Sequence, residues 1–91
     1  MNINVWIMWD SEDDFINWKE NDTLEHETIA TVDNGKYRLE YEYCEGVVYV
    51  YEEELDTDTD CYETVDEYVD SSILRCETLE DVIAWLFKQL L

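Results

Sequence analysis

The alternation of apolar and polar residues predicts most of the elements of this chain. In residues 2–9, Ile3, Val5, Ile7 and Trp9 fall on one side, and Asn2, Asn4, Trp6 and Met8 on the other. A period of two marks a strand, here with one face buried and the other partly so. Ser11 followed by Asp14 resembles a capping box, and Phe15, Ile16 and Lys19 have helical spacing, so a short helix is expected over residues 12–21.

Asn34-Gly35 is the strongest turn signal, because both central residues of a type I′ turn need positive φ and this dipeptide supplies it most easily. A hairpin folded there pairs Val32 with Tyr37, Ala30 with Leu39, Thr28 with Tyr41 and His26 with Tyr43, all on one buried face. The opposite face then receives Glu27, Ile29, Thr31, Arg38, Glu40 and Glu42. A second turn at Glu45-Gly46 returns the chain through residues 47–52, setting Tyr43 against Val48 and Tyr41 against Val50 inside. Outside, Glu42 meets Tyr49 and Glu40 meets Tyr51, so carboxylates and rings share one surface.

Residues 53–60 read as an acidic loop. Residues 61–76 fit either period; part of this segment is expected to form a fourth meander strand. Thr78 caps a final helix with Asp81 at the reciprocal position. Leu79, Val82, Ile83, Leu86 and Leu90 form its apolar stripe, widened by Trp85 and Phe87. The expected fold is α+β and a single domain over residues 1–91. It comprises an antiparallel sheet (a three- to four-stranded meander plus the N-terminal strand) packed by a short N-terminal helix and a C-terminal helix.

Charge changes this picture from a fold to a function. The chain carries 25 acidic residues against 5 basic ones, a formal charge of −20. Residues 39–74 contain no Lys or Arg, yet hold thirteen carboxylates: Glu40, Glu42, Glu45, Glu52, Glu53, Glu54, Asp56, Asp58, Asp60, Glu63, Asp66, Glu67 and Asp70. Such charge usually accompanies disorder, but disordered chains are poor in aromatic residues. Here four Trp, seven Tyr and two Phe, with no Pro and only two Gly, argue for a packed core. Self-repulsion opposes that core, so stability should rise with added salt. A basic partner, bound cations or a salty solvent would each make the repulsion tolerable. Nucleic acid and anionic membranes, which would repel the chain, are not expected as direct partners.

The residue inventory speaks against catalysis. The single histidine, His26, sits on the face expected to be buried, where a core histidine is the plainer reading. No nucleophile elbow or Gly-rich phosphate loop occurs. Cys44, Cys61 and Cys76 lack metal-site spacing and read as reduced packing residues of a cytoplasmic protein. Asp56, Asp58 and Asp60 match positions one, three and five of an EF-hand loop, and Glu67 matches position twelve. Cys61, however, stands where that loop needs glycine, and Glu63 where an apolar residue is usual. Weak, non-specific cation attraction is the expectation there, with no metal site and no cofactor. The first residues lack the basic start of a secretory signal, and no apolar run reaches the ~20 residues of a membrane span.

The charge density is that of a nucleic acid. Duplex DNA carries one charge per ~1.7 Å, so twenty charges correspond to ~34 Å of helix, close to the ~30 Å diameter expected of a domain this size. In size, charge and sheet-plus-helix plan the whole chain resembles the small acidic DNA-mimic inhibitors of phages: anti-CRISPR proteins, antirestriction proteins and uracil-DNA glycosylase inhibitors. No diagnostic motif accompanies the resemblance. It implies a non-enzymatic, phage-encoded inhibitor in the bacterial cytoplasm, whose carboxylates occupy an enzyme's phosphate-binding positions. The partner would be a basic nucleic-acid-binding protein: a Cas effector, with Cas9 and its PAM-reading arginines as the first example, a restriction enzyme or a DNA repair enzyme. The expected contact residues are the thirteen acids of the band, with Tyr49 and Tyr51 as anchors. An immunity protein that neutralises a basic nuclease toxin would present nearly the same surface, and a salt-adapted protein would need the acids but not the rings. An exposed strand edge or the Trp6 face is a candidate homodimer contact.

Overall fold

The computed structural model describes residues 2–21 and 26–91, and its elements follow the expected α+β order. They are β1 (Asn4–Ile7), α1 (Glu12–Glu20), β2 (Glu27–Asp33), β3 (Tyr37–Cys44), β4 (Val47–Asp56), β5 (Cys61–Val69), a short 3₁₀ turn (Ser72–Arg75) and α2 (Leu79–Gln89). The five strands form one antiparallel sheet in the order β1-β2-β3-β4-β5. Each strand lies beside its sequence neighbour, the arrangement that short connections favour.

Both helices start as their caps predict. Ser11 Oγ accepts the Asp14 N–H at 3.2 Å, and Thr78 Oγ1 accepts the Asp81 N–H at 3.1 Å. Each occupies one of the donors that a helix start leaves without a partner. The helices are tied together by Glu12 Oε2, which accepts the Leu79 N–H at 2.7 Å, and by Lys19 Nζ, which donates to the Cys76 carbonyl at 2.6 Å.

One face of the sheet makes the core. Ile29, Ala30, Val32, Leu39, Tyr41, Tyr43, Val48 and Val50 are buried there with Trp9, Phe15, Ile73, Val82 and Leu86. Edge-to-face ring contacts run from Phe15 to Trp9, from Trp9 to Trp18 and from Trp18 to Tyr43, at centroid distances of 4.9, 5.1 and 5.0 Å. A further contact joins Tyr41 to Trp85 at 5.4 Å. Phe87, expected to widen the α2 stripe, is instead exposed, because it lies on the side of the helix turned away from the sheet.

The first hairpin departs from its expected register. Asp33 pairs with Arg38, Val32 with Leu39 and Ala30 with Tyr41. The reversal is therefore centred on Gly35-Lys36, with Gly35 at φ 91° and Asn34 outside the positive-φ region. Asn34 acts through its side chain, whose Oδ1 accepts the Lys36 and Tyr37 N–H groups at 3.0 and 2.9 Å. A shift of two residues leaves the faces of Val32, Ala30, Leu39 and Tyr41 unchanged.

A bulge between Thr28 and Ala30 does change faces. One extra residue inverts everything before it. Ile29 turns into the core, correcting its expected outward position. Glu27 turns inward as well, where its Oε1 accepts the Trp18 indole N–H at 2.7 Å. Thr28 and His26 turn outward, so His26 is an exposed residue against Glu42 and not a core residue against Tyr43.

The type I′ geometry belongs to the second turn, where Glu45 and Gly46 have φ of 49° and 85°. The β3–β4 register that follows matches the expected one, including Tyr43 with Val48 and Glu42 with Tyr49. A Cβ added at Gly46 would meet nothing within 4 Å. Gly46→Ala should therefore lose stability only through the backbone, about 1–2 kcal/mol, read as a lower urea midpoint with unchanged slope.

Candidate interaction surface

The second face of the sheet is covered by no described element, and strand alternation places the acids and rings there. Register aligns Trp6, Thr31, Glu40, Tyr51 and Glu67 in one row across all five strands. Four interstrand gaps make this row about 19 Å wide. A second row holds Thr28, Glu42, Tyr49 and Val69. Trp6 is 50% and Val69 57% exposed, and Tyr49 is also exposed, so the surface offers rings and aliphatic area as well as charge.

The Glu40 and Glu42 carboxylates on this face are held in place. Glu40 Oε1 accepts the Thr28 hydroxyl at 2.8 Å. Glu42 Oε1 accepts the Tyr51 hydroxyl at 3.1 Å and also meets His26 Nε2. Partial burial, then the hydrogen bond and charge of Glu42, push the Tyr51 phenol above its ordinary pKa and keep it a donor. Fixed side chains lose less conformational entropy when a partner docks.

The thirteen acids do not form one continuous site. Glu40, Glu42 and Glu67 lie on the open face. Glu52, Glu54, Glu63 and Asp66 lie on the helix-bearing face of β4 and β5. Glu45 is in the β3–β4 turn. Asp70 Oδ1 accepts the Ser72 N–H at 3.0 Å at the start of the 3₁₀ turn. Glu53, expected to contact a partner, is buried at 6% exposure and pairs with Arg38, whose Nε donates at 2.7 Å. The Arg38 guanidinium also lies over the Tyr62 ring, 4.3 Å from its centroid.

Residues 53–56, expected as loop, continue β4; the connection to β5 is confined to residues 57–60, with Asp60 at φ 58°. Asp56 accepts the Asp58 N–H through Oδ1 at 2.9 Å and the Asp60 N–H through its carbonyl at 2.7 Å. The segment that resembles a calcium loop is thus a hairpin connection. Glu67 stands up the strand opposite Tyr51, away from it. Among the described residues no group of three or more His, Cys, Asp or Glu side chains is placed to hold a metal ion.

On the helix-bearing face, Tyr37 and Tyr68 both hydrogen-bond Glu52. Burial, followed by that hydrogen bond and the charge of Glu52, pushes Tyr37 from 10.0 to about 12. Burial first, then the neighbouring Tyr68 phenol and Asp70, also raise Tyr41, and burial followed by the charges of Glu52 and Asp70 raises Tyr68. A raised phenol pKa favours the folded state while the phenol is neutral. This stabilisation is complete below pH 10 and is lost as the pH climbs through the folded values. The urea midpoint should therefore fall between neutral pH and about pH 11, with tyrosinate absorbance appearing together with unfolding.

Tyr68, Val69 and Val65 are exposed surface residues that the sequence did not single out, because the period of residues 61–76 was ambiguous. Exposed apolar positions on a strand at the sheet edge were the available signal. The molecule is flatter and longer than a sphere, with extents of 42 × 26 × 19 Å and a radius of gyration of 13.4 Å. No described helix is long and apolar enough to cross a membrane. Comparison of the chain with protein-family models, curated proteins and solved structures finds no match.

Proposed function

We propose that this protein is a non-enzymatic inhibitor that occupies the nucleic-acid-binding groove of a bacterial defence enzyme by presenting a DNA-like charge surface. The observation that carries the reading is the open sheet face, where Glu40, Glu42 and Glu67 are interleaved with Trp6, Tyr49 and Tyr51. Carboxylates steer approach to a basic groove and select it, while rings supply contact area once water is expelled. The 42 Å long axis is comparable with the ~34 Å of duplex that carries the same charge. The first target class is a Cas effector such as Cas9, followed by restriction enzymes and DNA repair enzymes, met in the cytoplasm of a phage-infected cell.

The test is competition. Titrated against a panel of these enzymes bound to labelled duplex, the protein should displace DNA stoichiometrically from one of them. Its affinity should fall steeply between low and physiological salt. Affinity indifferent to salt, or binding that leaves the DNA in place, would exclude the mimicry.

A further inference from the structure

The outer edge of β5 is unpaired among the described residues. β5 ends the sheet, so β4 bonds one of its sides and no described residue pairs with the other. Residues 63–69 are all exposed. An uncovered strand of this length is a template for another strand. The phase of its backbone can be fixed from one bond: the Asp70 N–H donates to the Val48 carbonyl at 3.0 Å. Because alternate residues of a strand direct their N–H and C=O groups to opposite sides, Asp66 and Tyr68 face β4 while Glu67 and Val69 face the open edge. The Glu67 N–H agrees with that phase, since it donates to the Asp66 side chain, Oδ1 at 2.9 Å.

The side chains select what can pair there. Val65, Tyr68 and Val69 provide exposed apolar surface, whereas Glu63, Asp66 and Glu67 set three carboxylates along the same short strand. A second copy of this chain would bring like charges into register, which is destabilising, and a neutral strand would leave the carboxylates desolvated without partners. Only a cationic strand satisfies backbone and side chains together. It would also draw the Asp66 carboxylate into an ion pair and so release the Glu67 N–H for a main-chain bond.

We propose that β5 receives an extended Lys/Arg-bearing segment of the partner protein by strand addition, with Asp66 as a releasable cap over the edge. Val69 and Glu67 also belong to the rows of the open face, so the two contacts would be continuous. The inference rests on the reading that the partner is basic, and it adds which backbone the partner meets.

The probe is an alternating Lys/Thr peptide of ten residues, compared with the same peptide whose two edges are blocked by backbone N-methylation. With the full-length protein, the unblocked peptide should protect the Glu67 and Val69 amides from hydrogen exchange and bind roughly tenfold more tightly than the blocked one. Val69→Pro removes an outward donor from an edge strand, where proline is tolerated. It should reduce the affinity of the unblocked peptide to that of the blocked one while leaving the thermal midpoint near that of the parent. Asp66→Asn keeps an acceptor for the cap but loses the charge, and should weaken the unblocked peptide at low salt only. Equal binding of both peptides, with shifts confined to Glu40 and Glu42, would overturn the edge proposal and leave the charge reading standing. Failure of both peptides to bind at low salt would overturn the two together. A concentration-dependent dimer whose β5 amides are protected would assign the edge to a second copy and also overturn it.

Discussion

Arg38→Ala is expected to cost about 3 kcal/mol of folding stability, more than any other replacement of a single charged residue in this protein. Glu53 is buried at 6% exposure in a molecule of charge −20, and Arg38 holds it through a 2.7 Å hydrogen bond. Removing the guanidinium leaves a carboxylate desolvated and unpaired, and removes the cation from the Tyr62 ring as well. Glu53→Gln should cost less, because Arg38 is partly exposed and water can take over its donors. The double variant should recover part of the loss in Arg38→Ala, since no charge is then stranded. Arg38→Lys keeps the charge without the planar stack and should fall between the two. Urea unfolding of the four variants measures the coupling; additive losses would show that the pair does not act as a unit.

Neutralising the open face should move stability and binding in opposite directions. Glu40→Gln, Glu42→Gln and Glu67→Gln together take the formal charge from −20 to −17. Each glutamine keeps an oxygen acceptor, so the bonds from Thr28 and Tyr51 can persist. Relief of self-repulsion should raise the urea midpoint at low salt, an advantage that shrinks as salt is added. Affinity for the proposed basic target should fall roughly ten- to hundredfold, at ~0.5–1 kcal/mol for each exposed pair lost. Asp10→Asn, Glu20→Gln and Glu80→Gln change the net charge equally from exposed positions off the sheet. If that control weakens binding as much, recognition depends on total charge and not on the face.

What could be read from the residues followed from periods and caps. Ser11, Thr78 and Glu45-Gly46 carry local chemistry strong enough to place two helices and a turn, and the β3–β4 register followed from that turn. Two of the misreadings came from single-residue insertions, which periodicity cannot see. The bulge before Ala30 exchanged Ile29 with its neighbours and moved His26 to the surface. The irregularity between Glu52 and Glu53 leaves Val65 unpaired across from β4 and obscured the period of β5. Glu53 was misplaced for a different reason. Its burial depends on Arg38 and Tyr62 arriving from two other strands, a tertiary fact with no local trace. Of the candidate surface, Glu40, Glu42, Tyr49 and Tyr51 were legible together, whereas the contributions of β1 and β5 required the five-stranded register.

Strand alternation has a consequence for how such a protein can change over generations. The core is written in one set of positions along β3 and β4, and the proposed contact surface in the set between them. Under the proposed function, substitutions at Glu40, Glu42, Tyr49 or Tyr51 could therefore follow changes in the target without disturbing Leu39, Tyr41, Val48 or Val50. The Arg38–Glu53 pair is the exception, an outward-facing position already committed to holding the sheet together. If the proposed partner exerts selection, variation should spread across the open face and stop at that pair.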